Sequence, residues 1–282
     1  MEILDKTLKY CVIGNPIQHS KSPQMQNTAF RFHDLGEPYG KLLVEHDELG
    51  EFIAFLRENL LGCNVTVPFK EAVIPFLDEV DSVALQAKSV NTIINKNGKL
   101  FGCSTDGFGL ENSLRENFGL EIKGKSLIFV GVGGAAQALA WHFANLGAEK
   151  MYLFNRSFEK AELLKKSINV IYPDCQISAF TLADETNLQN AIKNSDLIIQ
   201  ATSLGLKPTD LPPFKFELLL ENKRIKVADL IYHATPLLNF AKDNNFDYVN
   251  GKDMLVYQGA KSFELWTGLE APIKLMKNAI EV

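Results

Sequence analysis

The sequence predicts an α/β protein that folds into two domains. The chain has 282 residues, which is more than one small hydrophobic core usually needs. Short apolar runs alternate with helical patterns, and a glycine-rich segment follows one of these runs in mid-chain. Strands that alternate with helices form a parallel sheet covered on both faces. We therefore expect a sheet flanked by helices in each part of the chain.

The first hundred residues are predicted to form strands and helices without a glycine-rich turn. A helix is expected to begin near Pro23, because proline suits the first helical position. Asn64 and Thr66 alternate with Val65 and Val67, so the polar pair should face one side of its strand and the valines the other. The predicted elements are strands over Lys9–Ile13, Lys41–Val44 and Gly62–Val67, and an amphipathic helix over Glu48–Leu60.

The middle of the chain carries a strand, a glycine turn and a helix in immediate succession. The strand is Ser126–Val130, the turn is Gly131-Val132-Gly133-Gly134-Ala135-Ala136, and the helix is expected from Gln137 to a stop at Gly147. In this pattern the first glycine makes a tight turn and the second lets the backbone approach a pyrophosphate. The small third residue packs the helix on the strand. The helix N-terminus then offers free N–H groups to the anion. Such turns also occur without a ligand, so the surrounding residues decide whether this turn is expected to bind a dinucleotide.

The next strand, Met151–Phe154, ends in Asn155-Arg156-Ser157, with Lys160 one turn further on. An acid at this place holds the ribose hydroxyl of NAD, whereas an arginine accommodates the 2′-phosphate of NADP. Two cations without an acid at the strand tip favour NADP. The alternative is that Arg156 and Lys160 are ordinary solvated charges.

Further strands are predicted over Ser195–Thr202 and Lys226–Tyr232, separated by a proline-rich loop over Lys207–Pro213. Gln258–Ile280 has a helical pattern and is expected to return to the first domain. The predicted domains are residues 1–106 completed by 252–282, and residues 107–251.

Composition excludes several classes of protein. The net charge of −5 gives no reason to expect nucleic acid as a partner. Cys11, Cys63, Cys103 and Cys175 form no C-x-x-C pair, so no metal site is predicted, and reduced thiols fit a cytoplasmic enzyme. The N-terminal ten residues lack the apolar core of a signal peptide. Leu127–Ala148 has no formal charge, but its glycines and short β-branched run indicate a buried strand and turn rather than a membrane span.

Polar side chains cluster after the N-terminal strands, where ligands bind in open α/β sheets. They are Ser20, Ser22, Asn64, Thr66, Lys70, Asn91 and Asp106. Hydroxyls, amides, one amine and one carboxylate suit a small polyhydroxylated acid. Each also has a structural alternative: the serines could cap a helix, Asn64 and Thr66 could face solvent, Asn91 and Asp106 could close turns, and Lys70 could lie on the surface.

Together these segments resemble the shikimate dehydrogenase family over almost the whole chain. The matching segments are Ile13–Pro23, Asn64–Lys70, Val90–Thr92, Thr105–Gly107, the glycine turn, Asn155–Ser157, Ala201–Gly205 and Met254–Ala260. The resemblance implies reversible, NADPH-dependent reduction of 3-dehydroshikimate to shikimate on the way to aromatic amino acids. It also implies an N-terminal α/β substrate domain and a Rossmann-type NADP-binding domain, with the active site in the cleft between them.

The resemblance further implies a role for individual residues. Lys70 and Asp106 would form the catalytic pair, and Ser20 and Ser22 would hold the substrate carboxylate. The remaining substrate contacts would be Asn64, Thr66, Asn91, Asp106, Tyr232 and Gln258. The cofactor contacts would be Gly131, Val132, Gly133, Gly134, Ala135, Asn155, Arg156, Ser157, Lys160, Leu230 and Gly251.

The chain departs from the family pattern at a few positions, and two other functions stay open. Ser104 stands where the family usually has Asn, and the loop after Asp229 is about two residues shorter than usual. A quinate/shikimate dehydrogenase that uses NAD would need an acid directly after Arg156, and Glu159 comes slightly late. A non-catalytic NADP-binding sensor would need neither Lys70 nor Asp106. A small-molecule substrate, no membrane, and a monomer or homodimer are expected.

Overall fold

The computed structural model describes residues 7–207 and 209–281. The predictions for the extreme N-terminus (Met1–Lys6) and for Pro208 of the proline-rich loop lie outside the described residues. Contacts divide the chain into two compact units, Met1–Gly109 with Leu255–Val282, and Leu110–Met254. The predicted boundaries at 106/107 and 251/252 stay a prediction, and each unit is described separately.

The strands and helices alternate along most of the chain. The strands are β1 (Tyr10–Gly14), β2 (Tyr39–Leu43), β3 (Gly62–Val65), β4 (Glu79–Val80), β5 (Thr92–Lys96), β6 (Lys99–Cys103), β7 (Ser126–Val130), β8 (Lys150–Asn155), β9 (Gln176–Thr181), β10 (Leu197–Gln200), β11 (Lys226–Asp229) and β12 (Tyr248–Val249). The helices are α1 (Ser22–Phe32), α2 (Leu49–Asn59), α3 (Phe69–Ala72), α4 (Ser82–Gln86), α5 (Asp106–Phe118), α6 (Gly134–Asn145), α7 (Phe158–Ile171), α8 (Glu185–Lys193), α9 (Pro236–Asp243), α10 (Gly251–Thr267) and α11 (Ile273–Ile280). Short 3₁₀ segments cover His46–Glu48, Ile74–Phe76 and Phe216–Glu221.

The first unit contains a mixed six-stranded sheet in the order β2-β1-β3-β5-β6-β4. β1 pairs in parallel with β2 and β3, whereas β5 runs antiparallel to both β3 and β6. Alternate residues of β1 enter different cores: Cys11 and Ile13 join one cluster, and Tyr10 and Val12 join the other. The second cluster also contains Phe263 of α10, so helices cover both faces of this sheet.

The second unit contains a six-stranded sheet in the order β12-β11-β10-β7-β8-β9, and all its pairings are parallel. The order reverses between β7 and β10, which places a topological switch point beside the end of β7. The carboxyl ends of β7, β10 and β11 therefore lie next to one another. This confirms the predicted α/β fold class with a Rossmann-type parallel sheet.

Several predicted boundaries are wrong, for identifiable reasons. β3 ends at Val65, so Val67 is 63% exposed instead of sharing a face with Val65. β11 ends at Asp229, which leaves Leu230 to Tyr232 in a loop. α6 begins at Gly134, three residues before the predicted start, with Gly133 as its N-cap. The C-terminal helical region is split into α10 and α11, with Gly268 at a φ of +72° after the end of α10.

Candidate active site

The first unit places an amine and a carboxylate in direct contact. Lys70 lies in α3 and Asp106 begins α5, and Lys70 Nζ is 2.6 Å from Asp106 Oδ2. The two side chains are 20% and 8% exposed, so the alternative of a surface lysine is wrong. The position of Asp106 in the first turn of α5 favours its negative charge. The pair is thus shielded from bulk water but still open on the side of the amine.

Asn91 holds the second oxygen of the Asp106 carboxylate. Its Nδ2 donates to Asp106 Oδ1 at 2.9 Å and to Gln258 Oε1 at 3.2 Å. Its Oδ1 accepts the Thr105 backbone N–H at 2.8 Å. Because a backbone N–H can only donate, this bond determines which end of the amide is the oxygen. Asn91 is therefore oriented so that it donates to the carboxylate and to Gln258.

Asn64 is buried inside the first unit, so the alternative that it faces solvent is wrong. Its Nδ2 lies 3.0–3.1 Å from the Asn91 carbonyl oxygen and the hydroxyls of Thr92 and Ser262. Its Oδ1 accepts a hydrogen bond of 2.8 Å from the Tyr39 hydroxyl. Two N–H hydrogens thus serve three protein acceptors, and the free capacity of the amide lies on Oδ1. A ligand hydroxyl that reaches Asn64 would donate to that oxygen.

Burial raises the pKa of Tyr39 well above its ordinary value, and the neighbouring thiols of Cys63 and Cys11 add to the rise. The hydroxyl is therefore a proton donor at neutral pH. It also forms a hydrogen bond with the Ser22 side chain. Tyr39, Thr92 and Ser262 support the predicted site residues but were not among them. Their signal in the sequence is weak, because a lone tyrosine, threonine or serine in a strand or helix is by itself no recognised motif for binding or catalysis.

Ser20 and Ser22 flank the start of α1. Lys21 occupies the N-cap position, so neither serine is the N-cap residue. The Ser22 N–H donates to Ser20 Oγ at 3.3 Å, and Lys21 Nζ donates to the Ile280 carbonyl at 2.9 Å. Thr66 follows β3, and its backbone N–H donates to the Ile13 carbonyl at 2.9 Å. Hydrogen bonds thus connect Ser20, Ser22, Asn64, Asn91, Asp106, Lys70 and Gln258 within one unit.

The glycines in the turn of the second unit have two different roles. Gly131 has a φ of +95°, and a Cβ there would lie 2.7 Å from Thr202 Cγ2, so the fold itself requires glycine. A Cβ on Gly133 or Gly134 would meet no heavy atom within 4 Å among the described residues. Open backbone at the N-terminus of α6 fits a pyrophosphate. Ala136, the small third residue of the pattern, is buried.

Asn155 ties the glycine turn to the end of β8. Its Oδ1 accepts the Val132 N–H at 3.2 Å and its Nδ2 donates to the Ser157 carbonyl at 2.9 Å. Arg156 and Lys160 are exposed and have no ion-pair partner among the described residues. Ser157 Oγ donates to Glu159 at 2.9 Å. The Glu159 backbone N–H and this hydroxyl lower the pKa of Glu159, so it stays negative beside the two cations.

Leu230, Tyr232 and Gly251 meet after β11. A Cβ on Gly251 would lie 2.2 Å from the Leu230 carbonyl oxygen and 2.9 Å from Tyr232 Cδ1, so the loop packs directly on this glycine. The Gly251 N–H also donates to the Ile231 carbonyl at 3.0 Å. Tyr232 is 48% exposed. It lies in the second unit, and its predicted substrate contact stays a prediction.

Neither a metal-binding group nor a membrane-spanning helix is found within residues 7–207 and 209–281. No three histidine, cysteine, aspartate or glutamate side chains there are grouped so that they could bind a metal ion. In the same part of the chain, no helix combines the length and the apolar character needed to span a bilayer.

Family models match three segments of the chain. They describe the substrate-binding domain of shikimate dehydrogenase (residues 12–93), shikimate/quinate 5-dehydrogenase (residues 113–206) and the C-terminal domain of shikimate 5′-dehydrogenase (residues 251–281). A relative from Desulforamulus reducens named shikimate dehydrogenase (NADP(+)) is 40% identical over 98% of this chain and 95% of its own length.

Solved structures agree with the sequence comparison. Shikimate 5-dehydrogenase from Listeria monocytogenes, in complex with shikimate and NAD, is 33% identical with a TM-score of 0.90 over 99% of this chain and 98% of its own. The enzyme from Thermus thermophilus, in complex with NADP(H) and shikimate, is 30% identical with a TM-score of 0.83 over 96% and 98%. The chain therefore belongs to the shikimate dehydrogenase family.

Proposed function

We propose that the protein is an NADP-dependent oxidoreductase that reversibly reduces 3-dehydroshikimate to shikimate. The observation that carries this proposal is the contact between Lys70 and Asp106, surrounded by the oriented amides of Asn91 and Gln258. The names of the relatives support the same substrate, and the Desulforamulus name and the Thermus complex support NADP.

The first unit offers a different group to each part of a hydroxylated acid. The hydroxyls of Ser20 and Ser22, with the N-terminus of α1, would bind the carboxylate. Asn64 Oδ1 would accept from a ring hydroxyl, and Thr66, Asn91 and Gln258 would bind the remaining polar groups. These contacts would place the reacting carbon next to Lys70. Tyr232 of the second unit would add a further contact.

Lys70 is the proton donor in this proposal. The bound nicotinamide supplies the hydride, which is the cofactor's own chemistry. As the substrate ketone becomes an alcohol, negative charge builds on its oxygen, and the Lys70 ammonium stabilises that charge and gives it a proton. Asp106 keeps the amine in place through the contact between Lys70 Nζ and Asp106 Oδ2. In the reverse direction the neutral amine accepts the hydroxyl proton.

The residues of the second unit fit NADP. The backbone from Gly131 to Ala135 would hold the pyrophosphate, and Leu230 and Gly251 would lie at the nicotinamide. Asn155, Arg156, Ser157 and Lys160 would surround the 2′-phosphate. Two observations favour the NAD-dependent alternative: the negative Glu159 next to Ser157, and the NAD in the complex of the Listeria relative.

The test measures kcat/KM for NADP and NAD, with shikimate and with quinate, in the wild type and in Arg156→Gln. Loss of a charge-assisted hydrogen bond costs about 1.5–3 kcal/mol, so kcat/KM for NADP should fall about 10- to 100-fold and that for NAD should stay within about twofold. Arg224→Gln, at an exposed arginine before β11, is the matched control and should change neither.

Each competing function predicts a different result. Equal or better turnover with NAD than with NADP would establish the NAD-dependent enzyme. Binding of NADPH without turnover of dehydroshikimate would establish the sensor. We further propose that the protein acts in the cytoplasm on this small molecule as a monomer or homodimer; sedimentation at working concentration distinguishes the two states.

A further inference from the structure

We propose that Asp229 is a positioning residue for hydride transfer, because its carboxylate folds the loop after β11 into one conformation. The inference rests on the proposed function, since the loop carries Leu230 and Tyr232. Neither the sequence pattern nor the family resemblance singled out Asp229. It is the last residue of β11 and is 1% exposed.

Both oxygens of Asp229 bind the loop that follows it. Oδ1 accepts the Ile231 N–H at 3.0 Å, and Oδ2 accepts the Thr235 hydroxyl at 2.8 Å. The Thr235 oxygen in turn accepts the Leu238 N–H at 3.2 Å and caps α9. One carboxylate therefore joins the end of β11, the middle of the loop and the start of the next helix.

This arrangement is costly unless its hydrogen bonds are complete. Burial raises the pKa of Asp229, and the bonds from Ile231 and Thr235 act against that rise. A buried carboxylate is tolerated when its oxygens are paired, and its bonds are then stronger than neutral ones. A leucine or valine at this position would pack as well in the sheet core but could not hold the loop. The carboxylate is thus explained by the loop and not by the sheet.

The rest of the loop is held by backbone contacts. The Leu230 N–H donates to the Gln200 carbonyl at 3.0 Å, and Gly251 contacts the Leu230 carbonyl. Gly205 has a φ of +106°, and a Cβ placed on it would lie 3.4 Å from Thr235 Cβ and Cγ2. Leu230 is therefore held by neighbouring elements. In the turn from Ile231 to Thr235, the Ile231 carbonyl contacts Gly251 and the His233 ring contacts the Gly205 carbonyl, and Asp229 adds the bonds to the Ile231 N–H and the Thr235 hydroxyl.

The location of the loop connects it with the reaction. β11, β10 and β7 are neighbours in one parallel sheet, so their carboxyl ends meet at the edge where the glycine turn lies. Ligands of such sheets bind outside this edge, next to the switch point. Hydride transfer requires the reacting atoms at contact distance, and a displacement of about 1 Å can cost about 100-fold in rate. A loosened loop would therefore slow hydride transfer without removing a group that touches the substrate.

The central test compares Asp229→Asn with the wild type in the full-length protein. We expect kcat to fall about 10- to 100-fold. The primary isotope effect with deuterated NADPH should rise as hydride transfer becomes more rate-limiting. The Kd of shikimate measured without cofactor should rise no more than about threefold, since every predicted substrate contact except Tyr232 belongs to the first unit.

Asp184→Asn is the matched control. Asp184 follows β9 in the same unit and also accepts one backbone N–H and one side-chain N–H, both from Asn187, at 3.1 and 2.7 Å. β9 is the edge strand farthest from β11 and β12 in the sheet order. This variant removes the charge from a half-buried carboxylate that also accepts two hydrogen bonds, and we expect kcat and the isotope effect to match those of the wild type.

Thr235 provides a second, independent pair of variants. Thr235→Ser keeps the hydroxyl and should retain kcat within about twofold, whereas Thr235→Val should resemble Asp229→Asn. Because the two residues share one hydrogen bond, the double variant Asp229→Asn with Thr235→Val should be no slower than the slower single variant. The comparison of Thr235→Ser with Thr235→Val tests the positioning role even if Asp229→Asn fails to fold.

Amide exchange separates this proposal from the proposed function. In Asp229→Asn, the Ile231 and Leu238 amides should exchange at least about tenfold faster than in the wild type. This result does not depend on whether the protein turns over shikimate. A wild type that turns over no shikimate refutes the proposed function, and the exchange data still decide the role of Asp229 in the loop. Unchanged exchange, unchanged kcat and isotope effect, or equal losses in Thr235→Ser and Thr235→Val would overturn the proposal.

Discussion

Replacement of Lys70 by methionine tests the reaction chemistry most directly. Methionine has a similar length and an apolar end, so it removes the amine while filling much of the same space. The Lys70 amine is 2.6 Å from Asp106, and the carboxylate keeps its hydrogen bond of 2.9 Å from Asn91. Asp106 therefore stays oriented after the substitution, and the proton donor alone is lost.

The expected loss in rate follows from the role of the amine. Removal of a positioned general acid costs about 10²- to 10⁴-fold in rate, or about 3–5 kcal/mol of transition-state stabilisation. The KM for shikimate should change only a few-fold, because Ser20, Ser22 and Asn64 do not depend on Lys70. Breaking a fully buried pair costs about 3–5 kcal/mol of stability, and the partial exposure of Lys70 reduces the expected loss to about 1–3 kcal/mol.

The assay follows NADP reduction with shikimate over a range of substrate concentrations, together with urea unfolding of each variant. Lys125→Met is the matched control, because Lys125 lies 3.4 Å from Asp196 in another lysine–aspartate pair with about one third of each side chain exposed. Its kcat should equal that of the wild type. A large rise in KM at normal kcat for Lys70→Met would refute the proton-donor role and make Lys70 a binding residue.

Two further predictions concern the glycine turn and the cysteines. Gly131→Ala should destabilise the fold by about 1–3 kcal/mol in urea unfolding, because its backbone is left-handed and a Cβ has no room. Gly133→Ala should unfold like the wild type but bind NADPH at least about tenfold more weakly, and equal NADPH affinity would contradict the pyrophosphate role. Burial raises the pKa of Cys103 to about 12 and that of Cys175 to about 11, so at pH 8 the thiolate fractions are about 10⁻⁴ and 10⁻³. Iodoacetamide should therefore label these two thiols slowly in the native protein and faster as pH rises; rapid labelling at pH 8 would be the contrary result.

Local patterns were sufficient for the parts of the chain in which neighbouring residues determine the structure. β7 was predicted with correct ends, because its apolar run is bounded by charged residues on one side and glycine on the other. The start of α1 was predicted to within one residue from Pro23. The contact between Lys70 and Asp106 could be inferred only through the family resemblance, since 35 residues separate them and no local pattern reports their distance.

Tertiary contacts decided the ends of elements and the state of the polar residues. β11 ends at Asp229, whose carboxylate accepts the Ile231 N–H and the Thr235 hydroxyl and so turns the chain away from the sheet, although the apolar pattern continues to Tyr232. Asn64 looked like a residue that could face solvent, but α10 and β5 bury it and use both of its N–H hydrogens.

The amino-acid sequence by itself determined the α/β class, the glycine turn and the residue types available for chemistry, because these depend on the order and spacing of nearby residues. The tertiary structure alone decided which polar groups are buried, which hydrogen-bonding capacity is already used, and that Asp229 shapes a loop. Those properties depend on partners from distant parts of the chain, and the free energy of a buried polar group is set by the partners it meets there.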